Sequence, residues 1–194
     1  VLDTTDTIAT NAKSMFRYQD KFWLNWLKDV DVVLSPIDQD PWGRVYYSGD
    51  GFPKVTNNQI IAGDGSPVHY RLGVPAGKTK MTGTVVDPNP PPTADDKADD
   101  ETRFYVYTYV TESGEEGPPS PLSNQLEIAY PGSSVNLVIP AMAAQDSNIT
   151  KRRIYRSATG GGVAAFFMVV ELDPAIGTYK DKLDVTDLGE QLES

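Results

Sequence analysis

Apolar residues in this chain recur mostly at every second position, the period of a strand with one face buried. Phe22, Leu24 and Trp26 share one parity while Trp23 and Leu27 share the other. That pattern fits a strand with aromatic residues on both faces, with a short helix as the alternative. Val30, Val32 and Leu34 alternate with Asp29, Asp31 and Val33 until Ser35-Pro36 ends the run, which predicts a second strand. Arg44 to Tyr47 is rich in β-formers, Ser48-Gly49-Asp50-Gly51 tolerates positive φ, and Phe52 to Thr56 returns, so this stretch predicts a hairpin. Pro53 confines its second strand to an edge or a strand start. Between Ala62 and Gly83, Gly and Pro are frequent, and loops with short strands are expected.

Downstream the alternation is cleaner. Strands are predicted over Phe104 to Val110, Leu126 to Ala129, Ser134 to Ile139, the KRRIYRS run from Lys151, Ala165 to Leu172, and Thr178 to Tyr179. Ser113 to Gly117 and Thr159 to Gly162 supply turns. Tyr105, Tyr107 and Tyr109 share one face of the first of these strands, and Phe104, Val106 and Val110 the other, which predicts cover on both faces. Pro118, Pro119 and Pro121 then keep the next segment from being a central strand. Short strands with turn signals about every ten residues indicate a β-sandwich or barrel.

The sharpest break in composition is VVDPNPPPTADDKADDE, from Val85 to Glu101. Its prolines favour extended backbone and its acids repel one another. The expected organisation is a β-rich region over 1–84, a Pro/Asp-rich linker over 85–101 and a β domain over 102–194. The chain begins at Val1 without a signal-peptide pattern, which reads as a trimmed, processed or partial chain.

Charge and composition narrow the functions. Acidic residues exceed basic ones by enough to give a formal net charge of −10, which opposes binding to nucleic acid or to an anionic membrane. The basic run Lys151, Arg152 and Arg153 reads as a solvated strand edge. No apolar run approaches a bilayer span. Cysteine is absent, which excludes disulfides, thiolate metal sites and cysteine nucleophiles.

Candidate chemistry is thin. GVPAGKT suggests a phosphate-binding loop, but three residues separate Gly73 from Gly77 where the motif needs four, and Pro75 removes an amide donor. His69, the sole histidine, stands in GDGSPVHY without a nucleophile elbow, and reads as a packed loop residue. Asp38 and Asp40 form the pair a glycosidase would need. Asp38, Asp40, Asp50 and Asp64 are the weak candidates for a cation site, without EF-hand spacing. Asn148-Ile149-Thr150 matches a glycosylation acceptor by chance spacing. Catalytic, cofactor and metal residues are therefore expected to be none. Trp23, Trp26, Trp42, Tyr46, Tyr47 and Phe52 are the candidate interface residues, because aromatic side chains in β proteins fill cores and subunit contacts.

Two resemblances follow from these residues. SVNLVIP, KRRIYRSATGGG, FFMVVEL and GTYKD are similar to the strand run of fibronectin type III and related immunoglobulin-like modules, and YVYTYVTESGEEGPPSPLSN is similar to the tyrosine-rich penultimate strand, turn and last strand of such a module. Here that piece comes first, so either the module is permuted or one module ends as another begins. From about Phe22 onward, WLNWLKDVDVVLSPIDQDPWGRVYYSGDGFPKVTNNQII, YRLGVPA, the proline-rich segment, ITKRRIYRS and TYKDKLDVTDLGEQL resemble structural proteins of tailed-bacteriophage morphogenesis clusters. The resemblance implies an all-β virion component without enzymatic activity, at the head-tail neck or collar. It would be repeated in a symmetric ring, with other copies of itself and neighbouring virion proteins as partners. A tail-fibre adaptor, a capsid decoration protein and a glycan-binding module are the alternatives.

Overall fold

The computed structural model describes residues 10–20, 22–61, 69–88, 93, 101–142, 148–160 and 163–193. It is all-β, and the chain divides into two compact units, Val1–Gly73 and Val74–Ser194. The division precedes the expected linker, because Thr82–Val86, which the expected boundary splits between the first region and the linker, is a strand of the second unit. Most of the Pro/Asp-rich stretch lies outside the described residues, while its ends, Val85-Val86 and Glu101, belong to strands.

The first unit opens with an antiparallel hairpin of β1 (Ser14–Tyr18) and β2 (Phe22–Trp26). Its turn holds Gln19 and Asp20 at φ of 47° and 56°. β1 was not foreseen, since its apolar positions are sparse and polar residues flank it. A four-stranded antiparallel sheet follows in the order β3-β4-β5-β6, formed by Asp31–Leu34, Val45–Ser48, Lys54–Thr56 and Tyr70–Arg71. The predicted hairpin is thus β4 and β5, and Pro53 stands at the strand start, where its missing N–H costs no ladder bond. A single helical turn, α1 (Asn58–Ile61), is capped by Asn57, whose Oδ1 accepts from the amides of Gln59 and Ile60 at 2.9 and 3.2 Å.

The second unit packs two principal sheets. One has the order β13-β12-β9, from Val163–Leu172, Ile149–Gly160 and Tyr105–Thr111. The other has the order β14-β11-β7, from Thr178–Asp181, Ser134–Val138 and Thr82–Val86. A further antiparallel pair joins β8 (Glu101–Arg103) to β10 (Leu126–Ile128). The core contains Met81, Tyr105, Tyr107, Tyr109, Leu126, Ile128, Val135, Leu137 and Ile154. All seven residues of β9 are buried, so both faces of the tyrosine strand are covered, as its apolar composition predicts.

Two departures from the sequence reading have clear causes. The KRR run is not wholly a solvated edge. In the register with β9, Arg152 and Arg156 stand opposite Tyr109 and Tyr105 and share their inward face, and neither arginine is exposed. The tail after β14 is also part of the sheet. The Met168 amide donates to Glu190 at 2.9 Å, and those of Gly189 and Leu192 donate to Met168 and Phe166 at 2.8 Å each, which lays the tail along the free edge of β13.

The Pro/Ser segment after β9 lies along that strand's other edge. The Gly117, Ser120 and Ser123 amides donate to the carbonyls of Tyr109, Tyr107 and Tyr105 at 2.9, 2.8 and 2.9 Å. In return, the hydroxyls of Ser120 and Ser123 accept from the Tyr107 and Tyr105 amides at 3.1 and 3.0 Å. Every third residue of this segment meets every second residue of β9, so serine side chains stand in for the carbonyls a regular strand would offer.

Candidate functional site

The six aromatic residues singled out from sequence are divided among several positions in the first unit. Trp26 packs on Tyr47 with ring centroids 5.1 Å apart, which seats the β1-β2 hairpin against one face of the sheet. Tyr47 and Phe52 lie on that covered face with Lys54, whose ammonium sits 5.7 and 5.2 Å from their ring centres. His69 approaches both rings, at 6.2 and 6.4 Å. The sole histidine is thus packed against aromatic rings, as its loop context suggests. Trp23 faces Arg17, 6.0 Å away, across the hairpin, and the Trp42 carbonyl receives the Asn58 amide at 3.0 Å.

Tyr46 belongs to the opposite face. The strand registers set Val33 against Tyr46, Tyr46 against Val55, and Val55 against Tyr70. Directly opposed residues point to the same side of a sheet, so these four form one apolar row across all four strands. About 5 Å separates neighbouring strands, giving the row a width near 15 Å. Beside it, a groove of about 310 Å³ is lined by Asp31, Val33, Tyr46, Ser48, Pro53 and Leu72, together with parts of Val32 and Tyr47. Val33 is 61% exposed and the adjoining Leu34 is 60% exposed, unusual values for consecutive branched apolar residues in a strand.

Two carboxylates near this sheet, Asp40 and Asp50, are engaged in structure. Asp40 accepts from the Trp42 amide at 3.1 Å and from the Arg44 amide and Nε at 3.1 and 2.8 Å. Burial pushes its carboxyl upward, but the Arg44 and Trp42 hydrogen bonds outweigh that and hold it at about 2. Asp50 receives Lys54 Nζ at 3.0 Å and Lys28 Nζ at 3.4 Å, and hydrogen bonding from Lys54 leads the lowering of its pKa. Asp38 is exposed, and Asp64 lies outside the described residues. Among the described residues, no group of three or more His, Asp or Glu side chains could hold a metal ion.

The AGKT stretch has a packing role. A Cβ on Gly77 would collide with the Tyr107 ring, while Tyr107 Oη donates to the Thr79 carbonyl at 2.9 Å. The glycine admits the tyrosine ring, which holds this segment against the sandwich. The second unit also has a cleft of about 760 Å³ lined by Ile139, Met142, Ile149, Asp173, Pro174 and Ile176 among others. Asp173, the one carboxylate among the described lining residues, accepts from the Ala175 amide at 2.8 Å.

Sequence reasoning missed a buried polar cluster on the inward face of the sandwich. Arg156 Nη1 donates to Asp181 Oδ2 and to the Leu183 carbonyl at 2.8 and 2.9 Å, and Tyr105 Oη donates to Asp181 Oδ2 at 2.8 Å. Burial, followed by the Asp181 charge, drives the Tyr105 phenol far above its ordinary range. Arg152 lies over the rings of Tyr107 and Tyr109 at 5.0 and 5.4 Å, and no acceptor among the described residues reaches its guanidinium nitrogens. The inward parity of Arg152 and Arg156 was the available signal, hidden by the assumption that a basic run faces water.

No protein-family model and no curated protein matches this chain. No helix among the described residues is long and apolar enough to cross a membrane.

Proposed function

We propose that the chain is a non-enzymatic structural component of a tailed-phage particle, placed at the head-tail neck or collar and repeated there in a symmetric ring. The observation that carries this reading is the row Val33-Tyr46-Val55-Tyr70 with its adjoining groove. It is an apolar sheet face, and Asp40 and Asp50 of the same unit are already committed to local hydrogen bonds. Such a face favours burial against protein over turnover of a small polar substrate. The position in a particle comes from the sequence resemblance alone. Ring symmetry would repeat each modest contact and raise the strength of the whole. The test is immunogold labelling of purified particles with antibody raised against the recombinant chain. Label at the neck is expected, and particles without label anywhere would overturn the assignment.

A further inference from the structure

The open edge of the first unit's sheet is where the geometry becomes specific. Among the described residues β3 is the outermost strand, paired only with β4. The Ser35 amide donates to the Arg44 carbonyl at 2.9 Å, and backbone groups in a strand alternate sides. Asp31 and Val33 therefore point their amides and carbonyls toward β4, while Val32 and Leu34 point theirs outward. Both ends of this outward edge are closed. On one side the Val30 amide is bound to Ser14 Oγ at 2.9 Å, and on the other Pro36 has no N–H to offer.

What remains is two donors and two acceptors, on Val32 and Leu34. An antiparallel second copy satisfies all four in one register, with Val32 opposite Leu34 in both directions and Val33 opposite Val33 at the centre. Shifting the register to oppose Val32 with Val32 brings in the committed Val30 amide, and opposing Leu34 with Leu34 brings in Pro36. A shift by a single residue would turn the apolar faces to opposite sides. In the favoured register the two-fold axis is perpendicular to the sheet, so the apolar row of one copy continues into the row of the other. The Asp31 side chains fall opposite Ser35, away from one another.

From this self-complementarity we infer that β3 is a homodimer edge, joining two copies of the chain into a continuous eight-stranded sheet. The exposed Val33 and Leu34 support it, since edge strands that stay single usually carry charge or proline at such positions, whereas the one charge of β3, Asp31, stands at its first residue. The inference rests on the reading of this sheet as an assembly surface and is independent of any place in a particle. An isologous contact closes at two copies, so a ring would need a second, different contact.

The test uses the full chain in a sedimentation series over micromolar concentrations, where a reversible dimer is expected. Val32→Pro removes an outward donor without touching the β4 ladder, and should weaken dimerisation about tenfold or more. Val33→Glu and Val33→Lys should each be monomeric, and mixing them should restore a dimer, which an unfolded variant would not do. Because the chain lacks cysteine, Val33→Cys reports proximity directly. Opposed residues of the central pair lie about 4.5 Å apart, within disulfide reach. Rapid cross-linking is expected for Val33→Cys, and much slower cross-linking for Val55→Cys. A wild-type monomer throughout the series, or equal cross-linking of the two cysteine variants, would overturn the inference. Dimers without particle labelling would overturn only the virion reading, and labelling of a monomeric chain only the dimer.

Discussion

Asp40 ties the turn ahead of β4 to Arg44 and Trp42, and its charge is felt in stability. Its carboxyl ionises at about 2 in the folded chain against an ordinary value of 3.8. The depressed value means that its stabilisation is fully present above about pH 4 and disappears as pH falls through about 2. Denaturant unfolding followed by tryptophan fluorescence should show that loss, and Asp40→Asn should cost about 2 kcal/mol at neutral pH. The two buried arginines should respond in opposite ways. Arg156→Met strands Asp181 in the core and should destabilise by about 3–5 kcal/mol. Arg152 has aromatic faces but no acceptor among the described residues, so Arg152→Met should be within about 1 kcal/mol of wild type or more stable. Equal losses in thermal denaturation would show that Arg152 is satisfied in another way.

At the level of elements, the sequence reveals strands where alternation coincides with turn residues, as in β3, β4, β9 and β11. It obscures those whose partners supply the pattern. β7 reads TGTVV within a Gly/Pro-rich stretch, and only pairing with β11 makes it a strand. The segment after β9 is legible as non-strand from its prolines, but its attachment to β9 depends on the spacing of Gly117, Ser120 and Ser123. Removing either serine hydroxyl leaves a buried β9 amide without its acceptor. Ser120→Ala and Ser123→Ala should therefore each cost about 1–3 kcal/mol. Hydrogen exchange should show faster exchange at Tyr107 in the first variant and at Tyr105 in the second. Among the interface candidates, sequence identified the aromatic residues but could not separate Tyr46 on the open face from Tyr47 on the covered one, because that choice is set by register.

For the whole molecule, each unit is compact by itself, although the compositional break lies later than the division between them. The proline cluster is conspicuous in sequence, whereas Gly73-Val74 carries no comparable signal. Differential scanning calorimetry should resolve two transitions, with Asp40→Asn lowering one and Arg156→Met the other. A single transition shifted by both substitutions would show that the units unfold together.

The tail along β13 also imposes an order in time. Among the described residues, the outward backbone groups of Phe166 and Met168 find their partners in Gly189 to Leu192, about twenty residues later in synthesis. Until those residues leave the ribosome, the nascent chain displays a long, apolar strand that is paired with β12 on one side and open along its other edge. Chains translated side by side on one message would be most prone to cross-pair during that interval, and a stalled ribosome would prolong it.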